Sequence, residues 1–173
     1  MKKLLLLTSV LAWISGVSAE EKPKLIVGVV ISHFYPEWMD MYGNELSENG
    51  LKRVMKQGTR VNVNYNYFYT QTGVDHASIY TGMLPTEHGI VSRAWYDRLR
   101  RKRQYSTQSD RYTEIGDQQA DSIKSLSPDY LQTMSLGSAM KWNNPMSRVF
   151  SVAMNGDEAV LSGGSSADMA IWF

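Results

Sequence analysis

The sequence predicts an α/β fold with a mostly parallel sheet and helices on both of its faces. Two apolar runs rich in β-branched residues, 24–32 and 148–154, are typical of strands that are buried on both sides. Segments with helical spacing of apolar residues lie between the predicted strands, and this alternation favours a parallel sheet. The chain has 173 residues and no internal repeat, so a single domain can bury a sizeable core.

The first half of the chain predicts two strands and two helices. The run KLIVGVVIS (24–32) is the first strand, and it ends at Ser32, where open α/β sheets bind their ligands. Apolar residues at helical spacings predict a helix within 45–58. Residues 61–67 alternate apolar or aromatic with polar side chains, which predicts a strand with one solvated face. Thr72 then opens a second predicted helix.

The second half predicts a hairpin, a helix and a strand. Residues 95–116 are polar and basic, which favours a hairpin outside the core. Ser127, followed by a proline and an acidic residue, is typical of a helix start, and the Asn-Asn-Pro at 143–145 is expected to end that helix. Residues 148–154 predict another buried strand, and 155–166 are interpreted as a loop, a short extension and a turn.

Residues 1–19 are predicted to be a signal peptide. Two lysines precede an apolar stretch that ends in the small-residue cleavage pattern Val-Ser-Ala. That stretch is shorter than the roughly 20 residues a helix needs to span a bilayer. We therefore expect an exported protein, periplasmic or secreted, with no membrane span and with residues 20–173 as its folded part. With no cysteine, that part has no disulfide to stabilise it.

Charge composition argues against a nucleic-acid partner. The chain carries 18 basic and 17 acidic side chains, a formal net charge of +1, which gives no broad basic surface. The run RLRRKR (98–103) is basic, and a nucleic-acid or phosphate surface is one interpretation of it. A solvated face of the predicted hairpin is the interpretation that the neutral composition and the export signal favour.

Three segments carry a resemblance to a known family: KPKLIVGVVIS (22–32), TGVDHASIYTGMLPTEHGIV (72–91) with WYD after it, and residues 149–173. The long middle motif is the most specific. Together they resemble the alkaline phosphatase superfamily, in particular exported bacterial single-chain alkaline phosphatases and the type I phosphodiesterases and nucleotide pyrophosphatases. The resemblance implies the N-terminal portion of a three-layer α/β/α sandwich of the alkaline phosphatase type.

The resemblance also implies a chemistry, namely zinc-dependent hydrolysis of a small phosphate ester. Two zinc ions would stabilise the attacking and leaving oxygens, and a threonine or serine hydroxyl would attack phosphorus. Thr72 matches the nucleophile, which also contacts metal. Arg93 stands where this branch of the family has an asparagine that contacts phosphate, and its guanidinium can hold an anion. Nothing in the sequence indicates a protein partner.

Three further site positions differ from the family pattern. Ser32 stands where a zinc-binding aspartate is expected, and a neutral hydroxyl is a weak substitute for a carboxylate. Asn155 and Asp157 stand where the family has a lysine and an arginine directed at phosphate. We therefore expect the hydrolase activity to be weak or lost. The alternative is a degenerate binding or interaction module of the cell envelope, either a pseudoenzyme or the product of a gene fragment. The end of the chain at Phe173, within an apolar stretch, favours a fragment.

Structural interpretations remain open for several of these residues. Thr72 at a strand-to-helix junction is also a common helix N-cap. His76 and His88 are interpreted as structural, and His33 as an improbable metal ligand, because their spacings predict no zinc cluster. The aromatic residues of 65–69 could form a ligand platform, but ordinary sheet packing is the favoured interpretation.

Overall fold

The computed structural model describes residues 23–109, 111, 112, 115 and 125–173, so the predicted signal peptide at 1–19 lies outside the described residues. The chain divides into two compact units between Val61 and Asn62. In chain order the elements are α1 (Glu37–Tyr42), α2 (Leu51–Gln57), α3 (Thr72–Thr81), α4 (Pro85–His88), β1 (Ala94–Asp97), β2 (Lys102–Tyr105), α5 (Leu136–Asn143), β3 (Phe150–Ala153), α6 (Gly156–Gly163) and β4 (Met169–Trp172).

The first unit contains α1 and α2 but no hydrogen-bonded strand among its described residues. The predicted buried strand at 24–32 is therefore wrong for this structure: Leu25 is 78% exposed and Val29 74%. A strand requires a hydrogen-bonded neighbour, and the described ladders pair other segments. Helix α2 covers only the second half of the predicted segment, because Gly50 closes a turn onto Ser47 and the helix starts after it.

The strand predicted at 61–67, which begins at the last residue of the first unit, is likewise unpaired in the structure. Val61 and Val63 are exposed, whereas Tyr67 is half-buried, and its hydroxyl donates to Asp75 of α3 at 2.9 Å. The alternating pattern thus correctly indicates an extended segment, but not one that joins a sheet.

Helix α3 forms the centre of the second unit. Its inner face packs against α6, and Gly82 ends it in the left-handed conformation with φ 69°. Four fully buried apolar side chains make up the core, with three half-buried ones around them: Val74, Ala77, Ile90 and Leu161, then Tyr67, Tyr130 and Leu131.

The predicted hairpin is confirmed within residues 94–105. Strands β1 and β2 pair antiparallel, with Ala94 opposite Tyr105 and Asp97 opposite Lys102. The Asp97 carboxylate accepts the backbone N–H groups of Leu99 and Arg100 and thereby holds the turn.

Helix α5 begins later than the Ser127 start that the sequence predicts. The backbone N–H of Ser127 donates to Thr107 and that of Gln132 to His88, so the intervening segment is pinned to neighbouring loops and makes a turn. The side chain of Ser135 caps the helix instead.

Strands β3 and β4 are parallel, as the fold class predicts, and α6 connects them. The interpretation of residues 155–166 as loop and turn was wrong, since Gly156–Gly163 is helical. Ser151 on one face of β3 hydrogen-bonds to α6, whereas Phe150, Val152 and Ile171 on the other face are exposed. Strand β3 is therefore buried on one face only, which corrects the sequence prediction. None of the described helices is long and apolar enough to cross a membrane.

Two histidines pin α3 to its surroundings. The His88 side chain is fully buried, its Nδ1 accepts the Ile90 N–H at 3.1 Å, and its Nε2 lies 2.9 Å from the Ser78 hydroxyl. In the neutral ring Nε2 therefore carries the hydrogen. His76 Nδ1 lies 2.7 Å from the Ser162 hydroxyl of α6. Both rings occupy hydrogen-bonded structural positions.

Stability should fall in mildly acidic solution because of these rings. Burial lowers the pKa of His88, partly offset by a hydrogen bond to its own backbone and by Glu87. Burial also lowers the pKa of His76, partly offset by Glu158 and Asp75. The unfolded chain, with histidine pKa values near 6.5, then binds protons that the folded chain does not. We expect the free energy of unfolding to decrease as the pH falls below about 6.5, by at most about 1.4 kcal/mol per pH unit and histidine.

Urea denaturation from pH 8 to pH 5 measures this slope. His88→Gln should be less stable at pH 8 and show a shallower slope, because only His76 then contributes. Equal stability of the parent chain at pH 8 and pH 5 would contradict the expectation.

Gly164 should tolerate no side chain. It lies after α6 at φ 74° and ψ −174°, a region open only to glycine, and a Cβ there would lie 2.6 Å from Cβ of Ser135, the α5 cap. We expect Gly164→Ala to cost about 3 kcal/mol or more in thermal or urea unfolding. Gly82→Ala is the matched control: φ is also positive but the space is open, so about 1 kcal/mol is expected. Equal costs would refute the steric argument.

Candidate functional site

Thr72 is the first residue of α3 and not its N-cap. Gln71 occupies the N-cap position with extended backbone, φ −142° and ψ 146°. Thr72 is exposed, so its hydroxyl stands at the surface beside the first backbone N–H groups of a ten-residue helix. The capping interpretation of Thr72 is thereby excluded. A helix N-terminus of this kind offers free amide donors and a favourable dipole to an anion.

Gln71 connects the start of α3 to the loop that carries Arg93. Its side-chain oxygen accepts the Arg93 backbone N–H at 2.8 Å and the Ser92 hydroxyl at 3.3 Å, and its amide nitrogen donates to the Tyr69 hydroxyl at 2.8 Å. No pattern in the sequence indicates that Gln71 belongs to the site. Glutamine is not a preferred N-cap, and a bond to a partner far along the chain leaves no local signal.

The Arg93 side chain pairs with Asp157. Nε of Arg93 lies 3.3 Å from Oδ2 of Asp157, which sits in the first turn of α6, and the second carboxylate oxygen accepts the Thr107 hydroxyl. Arg93 is 70% exposed, whereas Asp157 is 23% exposed. The structure thus brings two of the predicted site residues into direct contact, with opposite charges.

Asn155 occupies the N-cap position of α6 but does not cap it. Its side-chain amide donates to Glu158 at 2.7 Å, and no side-chain cap hydrogen bond forms. The position where the resemblance expects a lysine therefore carries a neutral group that is engaged within its own helix.

Helix packing holds these groups close together. Gly73 of α3 lies against the Leu161 side chain of α6, and His76 contacts Ser162 one turn further along. Through Gln71 and Asp157, Arg93 links the N-terminal ends of the two helices. The candidate site therefore consists of an exposed hydroxyl at one helix N-terminus and a neutralised guanidinium next to the other.

Ser32, the fourth substituted position, lies in the first unit, in an exposed turn. His33 follows it with φ 57°, a left-handed conformation that is uncommon outside glycine. The site described above is formed by the second unit alone.

The described residues by themselves do not fit the zinc ions that the resemblance implies. No group of three or more histidine, cysteine, aspartate or glutamate side chains converges among them. The Asp157 carboxylate already contacts Arg93 and Thr107. Zinc sites in proteins take three or four such ligands, so Thr72 alone cannot hold the metal.

Known proteins are similar to this chain in sequence and in fold. The sequence model of the family described as type I phosphodiesterase / nucleotide pyrophosphatase matches residues 26–168. The alkaline phosphatase PafA of Elizabethkingia meningoseptica is 32% identical over 161 residues, which cover 90% of this chain and 29% of that protein. The alkaline phosphatase PhoK of a Sphingomonas species is 32% identical, with 89% and 27% covered.

The crystal structure of wild-type PafA superimposes with a TM-score of 0.81 at 30% identity, covering 90% of this chain and 30% of PafA. This match confirms the predicted fold class, an α/β fold of the alkaline phosphatase type in partial form. The chain spans less than a third of the length of these relatives. On these grounds the chain belongs to the type I phosphodiesterase / nucleotide pyrophosphatase family and is homologous to the alkaline phosphatases PafA and PhoK.

Proposed function

We propose that Thr72 is the nucleophile position of a phosphate ester hydrolase and that in this chain the hydrolase activity is weak or lost. One observation carries the second part: the carboxylate of Asp157 lies 3.3 Å from the Arg93 guanidinium, the cation expected to contact phosphate. The substrate class is a small phosphate ester, in keeping with the family. The predicted leader at 1–19 supports a periplasmic or secreted location.

The setting of Thr72 supports the nucleophile assignment. The hydroxyl is exposed at the N-terminus of α3, where the helix dipole and free amides stabilise an incoming phosphoryl group. A neutral hydroxyl attacks slowly until a base takes its proton or a metal ion lowers its pKa. Zinc supplies that activation in the mechanism the resemblance implies. The described residues do not assemble a zinc site on their own, so this chain's own contribution is the position of the hydroxyl and the helix amides.

The ion pair itself is a weak barrier to phosphate. Arg93 is largely exposed, and exposed pairs contribute about 0–1 kcal/mol. A phosphate group could therefore draw the guanidinium away at little cost. Asp157 would remain, however, held in place by Thr107.

The remaining carboxylate is the larger obstacle. Two like unit charges about 5 Å apart repel by about 1–3 kcal/mol at effective dielectric constants between 80 and 20. A dianion doubles that penalty, and the lysine and arginine that would favour it are replaced by Asn155 and Asp157. By the same arithmetic, this repulsion offsets most of the attraction that Arg93 offers, so the pair provides no net positive charge to hold phosphate.

The same observation supports the alternative function, a binding or interaction module without catalysis. In that alternative the Arg93–Asp157 pair is a structural link between loop and helix. The two proposals differ in whether Thr72 has any chemical role.

Hydrolysis of an aryl phosphate with added zinc separates these proposals. We expect the unmodified chain to turn over slowly or not at all, well below the ordinary enzyme range of about 1–10³ per second. Thr72→Ala removes the hydroxyl and should abolish any residual rate. A Thr72-dependent rate within the ordinary range would contradict the proposed loss.

The triple variant Ser32→Asp, Asn155→Lys, Asp157→Arg restores the family residues and is the gain-of-function arm. A single oxyanion donor is worth about 10²–10³ in rate, so an increase of at least 10² would show that these positions alone limit activity. No increase would show that the shortage of zinc ligands among the described residues limits it as well. Asp157→Asn is the matched control, since it removes the negative charge without supplying a cation. An equal increase in both variants would show that repulsion alone matters.

Zinc content gives an independent measurement. We expect the purified chain, dialysed against zinc-free buffer, to retain less than one zinc ion per molecule by elemental analysis, since the described residues supply too few ligands. Retention of one or two zinc ions, reduced by Thr72→Ala, would contradict this and favour the active hydrolase.

A further inference from the structure

We propose that a basic cleft beside hairpin β1–β2 binds a compact dianion, such as the phosphate group of a phosphorylated small molecule. The cleft encloses about 220 Å³. A water molecule takes about 30 Å³ of liquid volume, so the cleft has room for a group several water molecules in size. We call this surface the hairpin cleft; the residues that line it include Arg100, Lys102, Ser109, Arg111, Asp129 and Tyr130.

The side chains of Lys102 and Arg103, both in the basic run 98–103, point to opposite faces of the hairpin. Successive residues of a strand point to opposite faces, and Lys102 and Gln104 of β2 both line the cleft. Arg103 points away from them and lies over the Tyr105 ring at 5.2 Å. The interpretation of the run as a wholly solvated face was therefore incomplete, because two of its cations line a concave surface.

Two of the cations are held in position by neighbouring groups. Arg100 donates to the Tyr130 hydroxyl at 3.0 Å, and Arg111 lies 3.0 Å from the Asp129 carboxylate. Since the Tyr130 oxygen accepts from Arg100, its hydrogen remains to be donated to a ligand. Side chains already fixed in this way lose less freedom on binding.

Asp129 is the one carboxylate among the described residues that line the cleft, and Arg111 balances its charge. A second carboxylate, that of Asp97, lies 3.7 Å from Nε of Arg100. Burial raises the pKa of Asp129, but hydrogen bonds from Ser109 and Ser127 and the Arg111 cation outweigh burial and hold that pKa below its usual range. Ser109 donates to it at 2.9 Å. The carboxylate therefore stays ionised and anchors Arg111.

Charge sets the ligand class. Among the described residues, three cations against the carboxylates of Asp129 and Asp97 leave one positive charge at the hairpin cleft. Guanidinium groups bind both phosphate and carboxylate oxygens in a matching geometry, but the same cations attract a dianion about twice as strongly as a monoanion, so a dianionic phosphate is favoured over a carboxylate. The small concave volume suits one such group and not a nucleic-acid backbone, whose binding requires an extended basic surface.

This site is independent of the proposed hydrolase function. The residues that line it include none of Thr72, Arg93, Asn155 and Asp157. Phosphate binding in the hairpin cleft therefore makes no prediction about hydrolysis, and a failure of either proposal leaves the other testable.

Calorimetric titration of the full chain with inorganic phosphate at low ionic strength tests the proposal. Lys102→Gln and Arg111→Gln should each raise the dissociation constant about tenfold, the effect expected from losing one charge-assisted hydrogen bond. Acetate should bind at least about tenfold more weakly than phosphate. Circular dichroism checks that each variant is folded, and Lys102→Gln, an exposed change on β2, is the decisive variant.

Two matched variants locate the binding. Arg103→Gln removes a cation from the same run on the opposite face, and Arg93→Gln removes the cation at the Thr72 site. Both should leave the dissociation constant within about twofold of the parent value, since neither residue lines the cleft. The proposal is overturned if the folded chain binds no phosphate, if acetate binds equally well, or if Arg103→Gln or Arg93→Gln weakens binding as much as Lys102→Gln.

Discussion

The contact between α3 and α6 is the constraint on which the second unit depends. Val74 and Ala77 of α3 and Leu161 of α6 share one fully buried cluster, and Gly73 lets the Leu161 side chain lie close to the helix backbone. This packing sets where both helix N-termini lie. Since Thr72 and Asp157 stand in the first turns of these helices, apolar packing sets where these two residues lie. The Gln71 hydrogen bond then positions Arg93.

Part of this architecture can be predicted from the sequence. The long motif that begins at Thr72 identifies both a helix and a family, and the polar, basic stretch after Arg93 correctly predicts a hairpin. Local patterns fail where tertiary partners decide the outcome. The runs at 24–32 and 61–67 have strand composition, but composition specifies which side chains suit a pleated surface and not which neighbour supplies the ladder.

The sequence predicts candidate site residues one by one, but it does not predict how they are arranged. The sequence indicates that Asp157 opposes a phosphate dianion; it does not show that Asp157 pairs with Arg93, because the two residues lie far apart in the chain. Helix α6 was missed for a related reason. Its glycines and serines resemble a loop, and only the burial of Ala159, Val160 and Leu161 against α3 and the strands makes the helix favourable.

Gln71 has a consequence for how this site can change over evolutionary time. Its side chain holds the backbone N–H at position 93, so it specifies where that residue stands without contacting the residue's side chain. A mutation at position 93 therefore alters chemistry while the loop keeps its path. Arg93, where the resemblance expects an asparagine, is held by this backbone hydrogen bond, which does not depend on the side chain at that position.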